Sequence, residues 1–432
     1  WDQVPSMNIL FIHQNFPGPF RQISAALIEA GHLVVALTIG APVDAQDPRL
    51  RVVRYQPARA TSRDIQPWVA EFETKVIRGE ACAKAMLQLR ESGFTPELVI
   101  AHPGWGESLF VKDVFPAAKL IVLLEFHYSS KQRDLDFDAE FQNPSFEDSA
   151  RVRLKNANGM LALESMDWGI TPSRWQREAV PGPYRARTSV IHEGIDTTYF
   201  TPAADATIKL DPIGHVVRTG DEVITFVTRH LDPYRGFHIF MRALPDVLRR
   251  RPNAVALIIG DDAPAYLPPI NGHPWRERMM EEVKSGLDLS RVFFLGRLPQ
   301  SALVRILQVS RVHVGFSYPF VPSISMLEAI SAGAVVVGSQ TAPVEEVITH
   351  SKTGFLVDFF DIARLARTLT AALDMGPRLD SMRSAARQVI VERFDAKTVC
   401  VPRQLALIQT LTSTPMRQKA TGLPSGGASR AA

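Results

Sequence analysis

The alternation of short apolar runs with longer amphipathic segments is the feature that most limits how this chain can fold. The runs are rich in β-branched residues, and the whole pattern occurs twice. Such a pattern is typical of parallel sheets whose faces are covered by helices. The first set of predicted strands is 8–12, 33–37, 98–101, 120–124, 159–163, 168–171 and 188–191. The second set is 223–227, 255–259, 292–295, 312–315, 334–337 and 355–357. The sequence therefore predicts two doubly wound, Rossmann-like α/β domains.

The repetition of the pattern also predicts where the two domains meet. Residues 199–214 have little periodicity and many turn-forming residues, so we expect a linker there. The chain has 432 residues, 46% of them hydrophobic, which is enough for each domain to bury its own core. The predicted organisation is a first domain over 7–205, a second domain over 206–395 and a disordered tail over 412–432.

Charge and cysteine content exclude several classes of function. The chain has 48 Lys and Arg against 45 Asp and Glu, a net charge of +3 with mixed signs, so no nucleic-acid partner is expected. Cys82 and Cys400 lie far apart in unlike contexts, which fits reduced thiols better than a disulfide framework. No apolar stretch approaches the roughly 18 residues of a membrane span. These features predict a cytoplasmic protein.

The segment from Tyr318 to Gly333 predicts a loop, a short helix and then a buried strand. The unpaired N–H groups at the start of a helix can hold a diphosphate. A carboxylate about one turn further along the helix can accept hydrogen bonds from ribose hydroxyls, and Glu328 occupies that position. This arrangement predicts a nucleotide site.

Other loops that follow predicted strands supply polar residues to the same cleft, because ligands of doubly wound domains bind at the carboxyl ends of the strands. Arg229 and Arg235 flank a proline-containing turn, so both guanidinium groups could reach one anion. The alternative is a solvated basic loop. Gly260, Arg297 and Leu298 follow two later strands and could flank a nucleoside.

The first domain also offers residues to the cleft. His102 and His127 each follow a predicted strand, and Glu125 lies in the same loop as His127. A lone histidine is usually structural, but two at equivalent places favour a functional role. The loop 13–21 contains Gly18 without a GxGxxG motif, so it does not indicate a dinucleotide. An ordinary strand-to-helix turn is the alternative there.

Several motifs, taken in order, resemble the GT-B glycosyltransferases of family 4, which are the retaining group 1 enzymes. The resemblance covers roughly residues 7–400. It is strongest in residues 228–237, 294–297, 323–333, 342–348 and 352–357, and residues 192–200 are similar to the hinge sequence of that family. The resemblance implies a GT-B fold, in which two Rossmann-like domains face a central cleft. It also implies that residues 396–411 form a C-terminal helix that packs back toward the first domain.

The activity that this resemblance implies is transfer of a sugar from a nucleotide-sugar, most readily a UDP- or GDP-sugar, to an acceptor hydroxyl with retention at the anomeric carbon. Arg229 and Arg235 match the basic pair on the diphosphate, and Glu328 matches the glutamate that binds the ribose. The N–H groups that would contact the phosphates are those of Ser323, Ile324 and Ser325.

The resemblance assigns roles to the first domain as well. His127 matches the histidine beside the donor sugar, His102 is a further cleft residue on the acceptor side, and Gly18 corresponds to the loop near the diphosphate. Two arginines and a helix N-terminus can stabilise the charge on the departing diphosphate, so no metal or other cofactor is expected. The segments 134–136 and 136–138 superficially look like a metal-binding DxD motif, but they follow no clear apolar strand.

The chain departs from the family pattern at two positions. The family usually has a second glutamate eight positions before Glu328, where this chain has Phe320, and a common glycine is replaced by Ser323. Phe320 cannot accept a hydrogen bond from a sugar hydroxyl. A catalytically weak nucleotide-sugar binding or scaffold protein is therefore one alternative, and a nucleotide-sugar epimerase of the same fold is another.

The partners expected from the sequence are a nucleotide-sugar donor and an unidentified hydroxyl acceptor. Contact with anionic lipid at the inner face of the membrane is an additional hypothesis. The basic residues that could make that contact are Arg21, Arg49, Arg51, Arg54 and residues 249–251. A solvated basic surface is the usual explanation for such residues.

Overall fold

The computed structural model describes residues 6–41, 47–129, 131, 133, 135–210, 214–263, 266–267 and 272–413. These residues form two parallel sheets and a short antiparallel hairpin. No helix in the described ranges is long and apolar enough to cross a membrane.

The first sheet is built from the N-terminal part of the chain. Its strands are β1 (Asn8–Ile12), β2 (Leu33–Thr38), β3 (Leu50–Arg54), β4 (Leu98–Ala101), β5 (Lys119–Leu123), β6 (Trp168–Thr171) and β7 (Thr188–Val190). Its helices are α1 (Arg21–Glu29), α2 (Ala70–Glu91), α3 (Val111–Val114), α4 (Phe146–Ser165), α5 (Arg174–Ala179) and α6 (Gly182–Arg185). The strand order is β3-β2-β1-β4-β5-β6-β7. Successive residues of β1 enter apolar cores on opposite faces, because side chains alternate along a strand.

A hairpin, β8 (Thr207–Leu210) and β9 (His215–Arg218), leads into the second sheet. The strands of that sheet are β10 (Val223–His230), β11 (Val255–Asp261), β12 (Val292–Gly296), β13 (Val312–Gly315), β14 (Val335–Ser339) and β15 (Phe355–Val357). Its helices are α7 (Phe237–Arg250), α8 (Trp275–Val283), α9 (Gln300–Val309), α10 (Ile324–Ser331), α11 (Ala342–Glu345), α12 (Ile362–Met375) and α13 (Asp380–Phe394). The strand order is β12-β11-β10-β13-β14-β15, so the prediction of two doubly wound domains is confirmed.

One local prediction is wrong, and two strands were not foreseen. Residues 159–163, predicted as a strand, form the C-terminal part of α4, whose start is fixed by a capping box between Ser145 and Asp148. An apolar run of five residues inside a long helix cannot be told from a short strand by composition. Strand β3 was not foreseen, because two exposed arginines interrupt its apolar residues at the sheet edge. The expected linker contains β8, which no clear apolar pattern announces.

The chain crosses between the two domains twice, and the crossing segments lie side by side. The Ile195 N–H donates to the Phe394 carbonyl at 2.7 Å, and the Ala396 N–H donates to the Ile195 carbonyl at 2.9 Å. Beyond this point α14 (Val401–Ser413) packs against α1 in the first domain. The predicted tail lies outside the described residues from position 414 onward.

The loop after β5 belongs to the first domain by sequence but packs on the second. Asp138 accepts a hydrogen bond from the Tyr318 hydroxyl at 2.6 Å. Arg242 on α7 donates to both oxygens of Glu140 at 2.6 and 2.7 Å. Phe137 packs against Tyr318 with ring centres 4.9 Å apart. These contacts close one side of the space between the two sheets.

Candidate functional site

A cavity of about 300 Å³ lies between the carboxyl ends of the two sheets. Its first-domain wall includes residues that follow β4 and β5, and its second-domain wall includes residues that follow β10 and β13. This is where doubly wound domains bind ligands. Its lining includes Lys75, His102, Trp105, Glu125, Phe126, Tyr128, Lys155, Asn158, Tyr234, Tyr266 and Phe320.

His102 and Glu125, both predicted cleft residues, form a hydrogen-bonded pair in this cavity. The His102 Nδ1 atom accepts from the Gly104 N–H at 3.0 Å, so the ring carries its proton on Nε2. That Nε2 atom lies 3.1 Å from the Glu125 carboxylate. Burial would raise the pKa of Glu125, but the hydrogen bond and charge of His102 hold this pKa below its ordinary value. The cavity wall therefore carries an oriented carboxylate.

His13 is a cleft residue that the sequence did not single out, although it directly follows β1. Its ring meets those of His102 and Trp105 edge-on, with centres 5.7 and 5.2 Å away. Gly18 has φ +45, and a Cβ there would lie 2.5 Å from Cε1 of His13. Burial and then the charge of His102 lower the pKa of His13 to about 4, so its ring is neutral. Gly18 is thus the residue that lets the loop after β1 close over His13.

The two arginines predicted to bind an anion occupy different surroundings. Arg229, at the end of β10, is exposed, and its charge helps to lower the pKa of His13 across the cleft. Arg235 donates to the Ser317 hydroxyl at 3.0 Å and to the Val321 carbonyl at 2.7 Å. Arg235 therefore supports the loop before α10, whereas the Arg229 guanidinium is open to the cleft.

The start of α10 is tied to β10 through two serine hydroxyls. Ser325 donates to the Val227 carbonyl at 2.8 Å, and the Ser323 and Ser325 hydroxyls are 2.6 Å apart. Because the Ser325 hydroxyl uses its proton to donate to the Val227 carbonyl, the Ser323 hydroxyl is the donor in its bond to Ser325. The N–H groups of Ile324 and Ser325 find no acceptor among the described residues. Two N–H donors at a helix start therefore remain for an anion.

Three carboxyl groups, those of Glu125, Glu193 and Glu328, lie near enough to one another for two of them to act on the ionisation of Glu193. Burial raises the pKa of Glu328, on α10, to about 7. Burial, followed by the charges of Glu125 and Glu328, raises the pKa of Glu193 to about 8. Glu193 follows β7 and borders an apolar cavity of about 30 Å³ beside Ile191 and Ile408. It was not foreseen as a site residue, although it stands in the segment that resembles the family hinge.

The remaining predicted residues lie outside the cavity that His102 and Glu125 line. His127 is half-buried, and burial and then the charge of Arg133 lower its pKa. Gly260 has φ +149, and a Cβ there would lie 3.0 Å from the Thr228 carbonyl oxygen. The Arg297 guanidinium is paired with Asp261. Leu298 packs against an apolar core cluster of the second domain rather than the cavity.

Phe320, which stands where the family usually has a glutamate, is a packing residue between the domains. It is 4% exposed. Its ring stacks on Phe126 of the first domain with centres 3.9 Å apart. Tyr234 and Tyr266 meet it edge-on at 5.6 and 5.0 Å. An aromatic contact across the cleft thus replaces a hydrogen-bond acceptor.

Within the described part of the chain, one group of side chains could hold a metal ion: Asp138, Glu140 and His238. Their ligand atoms lie within 4.8 Å of one another. However, Arg242 already binds both oxygens of Glu140, and the Tyr318 hydroxyl binds Asp138. These contacts fit a junction between the domains. Asp134, from the DxD-like segment, lies outside the described residues.

Comparison with known proteins identifies the class. Residues 30–200 match a family model described as the Glycosyl transferase family 4 group, and residues 211–389 match the model of Glycosyl transferases group 1. The chain is 24% identical over 400 residues to a glycogen synthase of Mycobacterium tuberculosis, a match that covers 88% of this chain and 87% of that protein. It is 29% identical over 250 residues to a D-inositol 3-phosphate glycosyltransferase of a Mycobacterium species, covering 55% and 52%.

Solved structures have the same fold. HepE of Anabaena, in complex with UDP-glucose, matches with a TM-score of 0.64 and 16% identity. The sucrose-phosphate synthase of Thermosynechococcus elongatus matches with a TM-score of 0.68 and 18% identity. Each match covers 94% of this chain and 100% of the other chain. The two facing sheets and their cleft define the GT-B fold. The chain belongs to the group 1 glycosyltransferases.

Proposed function

We propose that this protein is a retaining, metal-independent glycosyltransferase that moves a sugar from a nucleotide-diphosphate sugar to an acceptor hydroxyl. The observation that carries the proposal is that several anion-binding groups lie close together at the start of α10. The N–H groups of Ile324 and Ser325, left without acceptors among the described residues, lie at the start of α10. Arg229 lies at the end of the neighbouring strand β10, Arg235 follows that strand, and Glu328 lies one turn along α10.

Each part has a role in binding the donor. The α10 start and Arg229 bind the diphosphate, because helix N-termini and guanidinium groups both favour anions. Glu328 accepts from the ribose hydroxyls. Gly260, Arg297 and Leu298 flank the base. A UDP- or GDP-sugar is the proposed donor, and UDP-glucose is the ligand named for Anabaena HepE.

The proposed reaction breaks the bond between the anomeric carbon and the diphosphate oxygen and forms a bond from that carbon to the acceptor oxygen. The acceptor proton passes to the departing phosphate on the same face, which accounts for retention. Arg229 stabilises the negative charge that develops on the diphosphate. His127 is proposed to lie beside the donor sugar, with Gly18 near the diphosphate. Glu125 is held by His102 and faces the acceptor side.

Turnover of a panel of donors tests this proposal. We expect sugar transfer from one nucleotide series only, undiminished by a metal chelator, with the anomeric configuration of the donor retained in the product by proton NMR. Loss of activity with the chelator would contradict metal independence. An inverted anomeric signal would contradict the mechanism of retention.

Phe320 favours a second possibility, a nucleotide-sugar binding or scaffold protein without turnover. The Phe320 side chain has no oxygen or nitrogen, so it can offer no acceptor to the sugar hydroxyls, and it packs instead between the domains. Saturable binding of a nucleotide-sugar without transfer to any acceptor would support this function. Conversion of the donor alone to an epimer would instead indicate an epimerase.

We also propose that the protein works in the cytoplasm. Cys82 and Cys400 are both buried and unpaired, which fits a reducing compartment.

A further inference from the structure

Two lysines on the first-domain wall of the cavity are not part of the proposed donor site. Lys75 on α2 is only 6% exposed, and Lys155 on α4 lies beside it. The two ammonium groups share the carboxylate of Glu71, at 3.3 and 3.5 Å. One carboxylate cannot balance two ammonium groups, so this corner of the cavity is positive.

Close packing holds the lysines in place. Gly106 has φ +101, and a Cβ there would overlap the backbone carbonyl of Lys75. The Trp105 loop is therefore pressed against α2. The Lys75 ammonium donates to the Lys155 carbonyl at 3.3 Å, and the Lys155 ammonium lies 4.2 Å above the Tyr128 ring. The Lys75 ammonium is thus buried beside the cavity, and the partly exposed Lys155 ammonium is held over the Tyr128 ring.

Asn158 adds an unused acceptor to the same wall. Its Nδ2 atom donates to the Pro103 carbonyl, which fixes the orientation of the amide. Its Oδ1 atom is buried, and no donor reaches it among the described residues. A buried acceptor without a donor costs free energy, so a donor is expected from a ligand or water. A ligand hydroxyl would satisfy it.

Glu125 sets the direction of binding. Its carboxylate repels an anion, so the anionic end of a ligand must lie at the lysines and its hydroxyl end toward His102 and Glu125. Trp105, stacked on His102 at 4.5 Å, supplies a flat apolar face between the two ends. A cavity of about 300 Å³ suits a molecule of the size of a sugar phosphate.

We infer that this wall binds an acceptor that is a phosphorylated polyol, with its phosphate on Lys75 and Lys155 and a hydroxyl on Asn158. The inference rests on the proposed transferase function, because it names the acceptor class of that same cleft. Phosphate offers several oxygens to two ammonium groups, which suits this corner better than a neutral hydroxyl does. The phosphate belongs either to a free polyol phosphate or to a lipid headgroup.

Calorimetric titration of the full chain with glycerol 3-phosphate and with inorganic phosphate tests the site. We expect saturable binding that weakens about tenfold or more in Lys75→Met and in Lys155→Met, but not in Lys84→Met. Lys84 is the control, because it is an exposed lysine on α2, the helix that carries Lys75. Lys155→Met removes a partly exposed group, so one variant remains informative if Lys75→Met fails to fold.

Some outcomes would overturn the inference. The first is that the wild type shows no saturable binding of phosphate, and the second is that the wild type and both lysine variants bind it equally. The third is that binding is lost only in Arg229→Ala, which would place the phosphate in the donor half. Vesicles of phosphatidylcholine with and without phosphatidylinositol separate the two sources. Binding to the phosphatidylinositol vesicles that needs both lysines assigns a lipid headgroup, whereas lysine-dependent binding of glycerol 3-phosphate alone assigns a soluble acceptor.

The test is independent of the proposed donor site. Lysine variants that still bind a nucleotide but lose phosphate binding would support the inference. Unaltered phosphate binding in these variants would overturn the inference alone. Absence of nucleotide binding, with lysine-dependent phosphate binding intact, would instead contradict the transferase function.

Discussion

Replacing Arg229 by alanine is expected to lower kcat about 10²–10³-fold, the usual cost of removing one donor that stabilises charge in the transition state. Arg229 is exposed to the cleft, and its charge acts on His13 across it. The unfolding temperature should stay unchanged, because the Arg229 side chain makes no hydrogen bond or ion pair with the other described residues. Initial-rate kinetics under saturating donor measure the effect.

Two further variants serve as comparisons for Arg229→Ala. Arg367→Ala removes an exposed guanidinium from α12 and should leave kcat unchanged. Arg235→Ala should lower both kcat and stability, because it also breaks hydrogen bonds to Ser317 and Val321 worth about 1–3 kcal/mol. A normal kcat in Arg229→Ala would show that the diphosphate is stabilised elsewhere.

Replacing Glu193 by glutamine should stabilise the protein at alkaline pH. The folded-state pKa of Glu193 is raised from 4.5 to about 8. A raised pKa means that the wild type is relatively stable below pH 4.5 and loses this stability as pH rises toward 8. Glutamine does not ionise, so at about pH 9 the free energy of unfolding of the variant should exceed that of the wild type by on the order of 2 kcal/mol.

Thermal unfolding of both proteins at about pH 5.5 and about pH 9 measures this gain, which must be larger at the higher pH. Glu91→Gln, at an exposed position on α2, is the matched control and should show no such difference. An equal gain at both pH values would contradict the assignment of the penalty to a buried carboxylate.

Much of the fold follows from the apolar runs, because strands of a parallel sheet are buried on both faces. Strand β1 and the first five residues of β10 are mostly apolar in sequence. Reading apolar runs as strands wrongly predicted a strand at 159–163, because the buried side of a helix can also give a short apolar run. It missed β3, because an edge strand exposes polar side chains between its apolar ones.

The candidate site could be predicted from the sequence where one short segment supplies its residues. The start of α10 and Glu328 belong to one short segment, so their geometry is set by the helix itself. Glu193 and the pair of lysines could not be found this way. Their properties come from partners far away in sequence, such as Glu125 for Glu193 and Lys155 for Lys75.

Phe320 illustrates the limit of a motif. From the sequence it is a missing hydrogen-bond acceptor, but in the fold it is a contact between domains. Its partner Phe126 lies in the loop after β5, a segment that carries no recognisable motif. Only the three-dimensional structure joins the two positions.

The start of α10 and Glu328 together form the proposed nucleotide site. Thermal shift of the wild type and of Glu328→Ala with UDP, GDP and ADP, without added metal, tests it most directly. Glu345→Ala, at an exposed position on α11, is the control. We predict that one nucleotide raises the unfolding temperature of the wild type and the control, and that Glu328→Ala loses most of this shift. An equal shift in Glu328→Ala, or no shift in the wild type with any nucleotide, would contradict the claim.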